Sequence, residues 1–424
     1  MKKYPKYKDS GLKLVNNLPE HWEKTRLKYI GFLYGGLTGK SGEDFKREND
    51  HNNKPFINFT NICNNTYISK DNFGVVSILK GENQNQVKQG DLFFLMSSET
   101  HEDIGKTSVL RDDIGEVYLN SFCKGFRITK ENIDSCFINY LLSANNYRQL
   151  MIVAGKGFTR INLRQDKIKD FVFFYPTLVE QLQIVEFLDQ KTSIIDDLIQ
   201  KKQRKIELLK EQKTSIINQT VTKGLNPDVK MKDSGVEWIG AIPEHWMKKK
   251  IKFIGKVYSG DSVPSELILE DGNYPVYGGN GILGYYSDFN FDRPVLSIGR
   301  VGEKCGNVHL IDKPVWINDN SLILDLFDGE SDLRYLFFTM MIRDLNTLRN
   351  QNTQPLITGS SVKNEFIPFP PLPEQNQIVE YLNQKTTGID TTITLENQKI
   401  DLLKEYRQSL ISEVVTGKID VRKN

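Results

Sequence analysis

The chain spells one frame twice. "KDSGLKLVNNLPEHW" starts at Lys8 and "KDSGVEWIGAIPEHW" starts at Lys232, 224 positions later. Without a gap, Lys8 to Gly36 and Lys232 to Gly260 agree at 14 of 29 positions, among them Asp9/Asp233, Gly11/Gly235, Pro19/Pro243, His21/His245, Trp22/Trp246 and Gly31/Gly255. A second repeat follows: "VEQLQIVEFLDQKTSIIDDLIQKKQRKIELLKEQKTSIINQTVT" at 179 to 222 returns as "PEQNQIVEYLNQKTTGIDTTITLENQKIDLLKEYRQSLISEVVT" at 373 to 416, with about half its positions identical and an offset of 194. The block between the two repeats is therefore thirty residues longer in the first half. A duplicated frame around unlike filling dictates two versions of one plan.

The repeats divide the chain into four parts. A first variable domain with its frame occupies 1–178 and a helical spacer 179–224. A second variable domain, its frame at 231–260, occupies 225–372, and a second spacer 373–424. Apolar positions shared by the spacers are Ile195/Ile389, Ile199/Ile393, Ile206/Ile400, Leu209/Leu403 and Ile217/Ile411. Steps of 4, 7, 3 and 8 trace one stripe of period near 3.5, with Glu, Lys and Gln on the remaining faces. Ser/Thr at 192–193 and 386–387 suit helix starts, and Gly224 and Gly417 suit the ends. Each spacer is predicted as a helix of about 30 residues, roughly 45 Å long, with a shorter helix before it from Glu180 or Glu374. A polar helix with one narrow stripe needs a partner. Two such stripes in one chain predict antiparallel mutual pairing and an internal pseudo-two-fold, the alternatives being that each helix packs on its own domain or in a homodimer.

The variable blocks read as α+β. Short β-like runs ("KPFINFTNI", "GDLFFLM" and "VYLNSF"; "YPVYGG", "PVLSIG" and "VWINDN") precede a helix, "FINYLLSANNYRQLM" or "LRYLFFTMMIRDLNTL". Each block then closes on an apolar strand, "FVFFYP" or "FIPFPP", that leads into the spacer. The fold class expected is thus α+β, two similar α/β domains joined by two long antiparallel coiled-coil helices with an internal pseudo-two-fold repeat.

Near-miss motifs narrow the chemistry. "GGNGILG" at 278–284 contains G-x-G-x-x-G, but "YYSDFNFDRP" follows it where a dinucleotide site needs a helix, so a turn between strands is expected. "GLTGKS" and "IGKTS" lack the first glycine of a phosphate loop. No Asn/Asp-Pro-Pro-aromatic tetrapeptide of the amino-methyltransferases occurs. The five histidines form no i, i+4 pair and no cluster with the four scattered cysteines, which predicts no metal and reduced thiols. The duplicated His-Trp pairs suit packing rather than catalysis. No secretory signal or membrane span is expected, and the localisation expected is cytoplasmic. The net charge of +2 makes any basic surface for nucleic acid a local one.

The set "DSGVEWIG-IPEHW", "YPVYGGNGILGYY", "IGRVGEKCGNV", "P-LPEQ-QIV" and "ID…LLKE…LI…VT" resembles the specificity subunits of type I restriction–modification enzymes, over essentially the full chain and in that family's order. The resemblance implies a non-catalytic chain whose two target recognition domains each read half of a bipartite, asymmetric site in double-stranded DNA. It implies paired helices that set the unread gap and dock two DNA methyltransferase (modification) subunits, with restriction (translocase/nuclease) subunits joining for cleavage. No cofactor is implied for this chain; S-adenosylmethionine, ATP and Mg are implied for the partners. Within that frame the polar, basic and glycine-rich loops supply DNA-binding candidates: Lys40, Ser41, Asn58, Thr60, Asn61, Lys156, Thr159, Arg160 and Arg164, then Tyr277, Gly278, Asn280, Tyr285, Arg300, Asn352, Thr353 and Gln354. Asn and Gln match adenine, Arg matches guanine, and Gly admits close backbone approach. A protein-binding scaffold on a duplicated coiled-coil frame is the alternative, as is a lone nuclease or methyltransferase; sequence preference in DNA binding separates the first, turnover by the isolated chain the second.

Overall fold

In the computed structural model, residues 2–12, 15–45, 51–157, 159–327, 329, 331–350 and 355–422 are described. The chain divides into two units, Met1–Lys201 with Gln398–Asn424, and Lys202–Asn397. The duplicated frame folds alike in both. Tyr7–Leu12 pairs antiparallel with Val15–Pro19, and Met231–Asp233 with Ala241–Pro243. At each bend an aspartate carboxylate accepts from a glycine N–H two residues on, Asp9 from Gly11 (3.0 Å) and Asp233 from Gly235 (2.9 Å). Both glycines have positive φ, +70° and +64°, which accounts for their recurrence in the two copies. The strand after each frame then pairs antiparallel with the apolar strand that closes the block: Glu23–Arg26 with Val172–Tyr175, and Met247–Lys250 with Phe366–Phe369.

Two sheets in each variable block share one strand order. In the first unit Gly31–Gly35, Cys123–Ile128, Leu92–Leu95 and Thr107–Val109 form an antiparallel sheet of four, and Tyr118–Leu119, Asn53–Ile57 and Phe73–Ser77 a mixed sheet of three. In the second unit the corresponding sheets are Gly255–Ser259, Ser321–Leu326, Val295–Gly299 and Val308–Ile311, and Trp316–Ile317, Tyr274–Gly278 and Gly281–Tyr286. Leu92–Leu95 and Val295–Gly299 are buried along their whole length, so neither alternates; a strand covered on both faces has no polar side to show. The expected turn inside "GGNGILG" is present as a hairpin between Tyr274–Gly278 and Gly281–Tyr286. Between the corresponding first-unit strands lie residues 58–72, including the short helix Phe59–Asn64, and part of the first block's extra length sits there.

Both predicted block helices are interrupted. "FINYLLSANNYRQLM" forms Ser135–Ser143 and Asn145–Ala154, separated by extended Ala144. "LRYLFFTMMIRDLNTL" forms Leu333–Arg343 and then a 3-10 turn, Leu345–Leu348, after left-handed Asp344 (φ +46°).

The spacers correct the sequence reading in the opposite sense. The first helix runs unbroken over Leu178–Lys223 (46 residues) and the second over Leu372–Val415 (44 residues), each about 65–70 Å long. Thr192 and Thr386 do not start a helix. Their hydroxyls donate to the carbonyls of Leu188 and Leu382, four residues back, both at 2.7 Å, so they are satisfied inside it. The ends fall as expected at Gly224 (φ +75°) and Gly417 (φ +71°).

The two long helices pack together within each unit. In the first unit Asp196 takes a two-pronged ion pair from Arg407 (2.9 and 3.1 Å), and Ile184, Leu188 and Ile195 share one core with Leu410, Ile411 and Val414. In the second unit Glu396 receives Lys202 (2.7 Å) and Lys205 (2.9 Å) while Asp390 receives Lys213 (2.7 Å). Rising numbers on one helix meet falling numbers on the other, so the pair is antiparallel there. Ile195, Ile206, Ile217, Ile400 and Ile411 are buried, and Ile199, Leu209, Ile389, Ile393 and Leu403 half-buried.

Candidate nucleic-acid interface

The start of each long helix anchors the duplicated frame. Glu180, buried in the first turn, accepts from Trp22 Nε1 (3.0 Å) and Tyr4 Oη (2.7 Å) and contacts His21 Nε2 (2.8 Å). Glu374 repeats this with Trp246 Nε1 (2.8 Å) and His245 Nε2 (2.6 Å). Next door, Gln181 accepts from the Asp134 N–H and donates to the Pro176 carbonyl, and Gln375 does the same with Asp332 and Pro370. Asp134 and Asp332 in turn cap Ser135–Ser143 and Leu333–Arg343. The repeated Glu-Gln is thus a joint holding frame, closing strand and block helix together. Trp22 and Trp246 are buried in this joint, and the half-exposed His21 and His245 reach the same glutamates from the surface.

On this scaffold the same turn recurs at the seam of the two sheets. In the first unit Asn120 sits between Tyr118–Leu119 and Cys123–Ile128. Its carboxamide Oδ1 accepts from the Phe122 N–H (2.9 Å), its carbonyl from the Cys123 N–H (3.1 Å), and its own N–H donates to the Ile57 carbonyl (3.0 Å). In the second unit Asn318 takes the Asn320 N–H (2.9 Å) and the Ser321 N–H (3.0 Å) and donates to Tyr277 (2.9 Å). The glycines that end the frame lie beneath. A Cβ on Gly36 would stand 2.1 Å from the Asn120 carbonyl oxygen, and one on Gly260 2.4 Å from that of Asn318.

Around the first-unit turn gather several of the predicted residues. Lys156 and Thr159 are exposed beside the sheet of Gly155–Lys156, Ile161–Leu163 and Ser97–Ser98. The Arg160 guanidinium lies over the Phe122 ring, 5.4 Å from its centre. Arg164, largely exposed, pairs with Asp166 (3.0 Å). Asn58 caps the helix Phe59–Asn64 through the Asn61 N–H (2.8 Å) and accepts from Thr60 (2.9 Å). Asn61 is buried and its amide holds the Ser69 carbonyl (2.8 Å). Lys40 is drawn into an ion pair with Glu82 (2.6 Å), its side chain 5% exposed, and the Ser41 N–H donates to Asp44 (2.8 Å).

In the second unit Arg300 Nη1 donates to Ser259 Oγ (3.0 Å) and to the Asp319 carbonyl (3.3 Å), while its N–H donates to the Asn320 carbonyl (2.9 Å). Asn280 is exposed at the hairpin tip; Tyr277 meets the His309 ring edge-on at 5.8 Å; Tyr285 pairs opposite Pro275. A Cβ on Gly278 would stand 2.6 Å from Cδ1 of the exposed Leu283 side chain. Asn352, Thr353 and Gln354 lie outside the described residues.

Burial pushes the Cys123 and Cys136 thiols up to about 12, so neither supplies thiolate near neutral pH. Among the described residues no three His, Cys, Asp or Glu are grouped to hold a metal ion.

The family model for the type I restriction modification DNA specificity domain matches residues 19–208 and 243–405, most of the chain. The chain belongs to the type I restriction–modification DNA specificity family. This specificity subunit is a DNA-binding component of a restriction system that acts with other subunits of that system, and it is not the enzyme itself. A Methanocaldococcus jannaschii protein assigned as the MjaX specificity subunit is 24% identical, with 98% of each chain covered. The EcoKI specificity subunit of Escherichia coli K12 is 22% identical, covering 96% of this chain and 90% of its own. Among solved structures, a chain from work on complex assembly and conformational transition of the type I R-M system superposes with a TM-score of 0.72 at 15% identity, covering 95% of this chain and 99% of that one, which establishes the shared fold. The resemblance carried by the repeated motifs is confirmed. No helix among the described residues is long and apolar enough to cross a membrane.

Asn120, Ser121, Phe122, Asp319 and Asn320 belong to the β-like runs "VYLNSF" and "VWINDN", whose strands end earlier, at Leu119 and Ile317, so that these residues form the turn instead. One signal pointed to them: Gly36 and Gly260 are aligned frame glycines. Only the fold reveals which turns those glycines admit.

Proposed function

We propose that this specificity subunit reads a bipartite, asymmetric DNA target, the block within 1–178 recognising one half and the block within 225–372 the other. The spacers at 179–224 and 373–424 would pair as an antiparallel coiled coil with a pseudo-two-fold relation between the halves. That pair sets the unread gap and docks two methyltransferase subunits, to which restriction subunits add, in the cytoplasm where the chromosome lies. The observation that carries this reading is the repetition of one two-sheet plan, down to the asparagine turn, with different residues around the turn in each copy. Two readers of unlike half-sites need a common scaffold and unlike contacts. Joining them raises specificity, because each mismatched pair costs roughly 1–3 kcal/mol and well-separated positions add. Lys156, Thr159, Arg160 and Arg164 serve the first half, and Tyr277, Gly278, Asn280, Tyr285 and Arg300 the second.

The test is methylation profiling of a genome in cells expressing this chain with its methyltransferase. A two-part motif with a fixed unread gap is expected. A continuous motif overturns the reading, and binding without any preference over random duplex favours a protein scaffold instead.

A further inference from the structure

The two asparagine turns occupy one node of one plan, and they differ at the tip. Asn120 and Asn318 make the same three bonds, one through Oδ1 and two through the backbone, to Phe122, Cys123 and Ile57 in one unit and to Asn320, Ser321 and Tyr277 in the other. The neighbouring contact is also repeated: the N–H after each frame glycine, of Leu37 or Asp261, donates to the carbonyl of Leu119 (2.7 Å) or Ile317 (3.0 Å). Gly36 and Gly260 leave space only for that backbone path. So much shared hardware places residues 122 and 320 at equivalent points, and there the shared chemistry stops: the first is Phe, the second Asn.

Both tips face outward. Phe122 is 56% exposed, although an aromatic ring at the surface gives up the gain of burial. It lines two recesses of about 500 and 420 Å³, one carrying Lys124, Arg164 and Asp166 and the other Arg160, Glu99 and Asp103. Asn320 is exposed as well. Each tip has an arginine beside it: the Arg160 guanidinium lies across the Phe122 ring, and the Arg300 guanidinium donates to the Asp319 carbonyl while its backbone N–H donates to the Asn320 carbonyl. An exposed residue on a rigid turn, flanked by a cation, is built to meet a base edge while the cation meets phosphate or guanine.

We infer that Phe122 and Asn320 are the paired specificity-determining tips of the two units, Phe122 making an apolar contact to a base edge and Asn320 a hydrogen-bonded one. In the major groove the apolar edge is the thymine methyl, and the partner that matches a carboxamide is adenine N6/N7. The inference rests on the reading of each unit as a reader of one half-site.

Complexes of the full chain with its methyltransferase subunits are used to select duplexes from a randomised pool. The unsubstituted complex must enrich a two-part sequence; if it does not, the half-site reading itself fails, irrespective of the tips. Given that motif, Phe122→Ala should relax one or two positions of one half by on the order of 10- to 100-fold and leave the other half intact. Asn320→Ala should do the same to the other half. The exchanges Phe122→Asn and Asn320→Phe should change the preferred base at those positions. If alanine lowers the melting temperature, Phe122→Leu and Asn320→Asp replace it in the same selection. Full discrimination retained by both alanine variants, relaxation of the same half by both, or a uniform loss of affinity with an unchanged motif each overturns the inference.

Discussion

Glu180 and Glu374 show how one residue type at one register does unequal work. Each sits in the first turn of a long helix, where the helix dipole favours an anion, and each binds the Trp and His of its frame. Glu180 also accepts from Tyr4, and its side chain is 5% exposed against 35% for Glu374. Substituting glutamine puts an amide N–H against these donors, and the cost grows with burial. Glu180→Gln should therefore destabilise by about 2–3 kcal/mol and Glu374→Gln by about 1 kcal/mol, read from denaturant midpoints of the two transitions. Equal losses would mean that the Tyr4 contact and the deeper burial contribute nothing. His309 gives a pH handle in the second unit. Burial holds its pKa below the usual histidine value, and the Tyr277 ring meets it edge-on. The unfolded chain then binds the proton first, so stability is full above about pH 6.5 and falls as pH drops below it. Denaturation of the second unit at pH 7.5 and 5.5 should show that loss, and His309→Gln should flatten it.

At the scale of elements, the same glycine signal closes both long helices, but the surroundings differ. A Cβ on Gly417 would lie 2.3 Å from Pro19 Cδ, whereas one on Gly224 would lie 3.1 Å from the Trp246 ring. Both positions also carry the left-handed backbone, which costs a residue with a side chain about 1–2 kcal/mol. Gly224→Ala should therefore cost about 1–2 kcal/mol and Gly417→Ala about 2–4 kcal/mol, measurable by thermal or urea unfolding. These ends, the frame hairpins and the closing strands were legible in sequence because local chemistry fixes them and the duplication marks them twice. The helix starts were not. Thr192 and Thr386 offer the same hydroxyl to an N-cap as to a carbonyl four residues back, and the choice is made by the Glu-Gln joint upstream. Lys40 reads in sequence as a basic loop residue, and Glu82, which takes its charge, lies 42 positions away. Asn61 reads in sequence as an amide suited to a base, whereas its Nδ2 donates to the Ser69 and Asn72 carbonyls and its Oδ1 accepts from the Ser69 N–H and Asn65 Nδ2. Periodicity reports faces of elements, and it is silent about pairs brought together by topology.

For the whole molecule, the duplication separates what is held constant from what is free to differ. The Glu-Gln joint, the frame hairpin and the asparagine turn recur, while the connection at 58–72 has only residues 279 and 280 as its counterpart. On the proposed reading the long helices set the distance between two readers, and that has a measurable consequence. Seven residues complete two turns of a stripe with period near 3.5, so a heptad inserted in each helix near the unit boundary, at about residue 201 in one and residue 398 in the other, preserves the apolar face. The added rise is about 10.5 Å, close to three base pairs at ~3.4 Å each. Methylation profiling should then return both half-sites unchanged and an unread gap longer by about three base pairs. Insertion of a heptad into one helix alone leaves its partner's stripe unmatched and should abolish methylation. Half-sites altered by the double insertion would mean that the helices belong to recognition itself, and an unchanged gap would mean that they do not set its length.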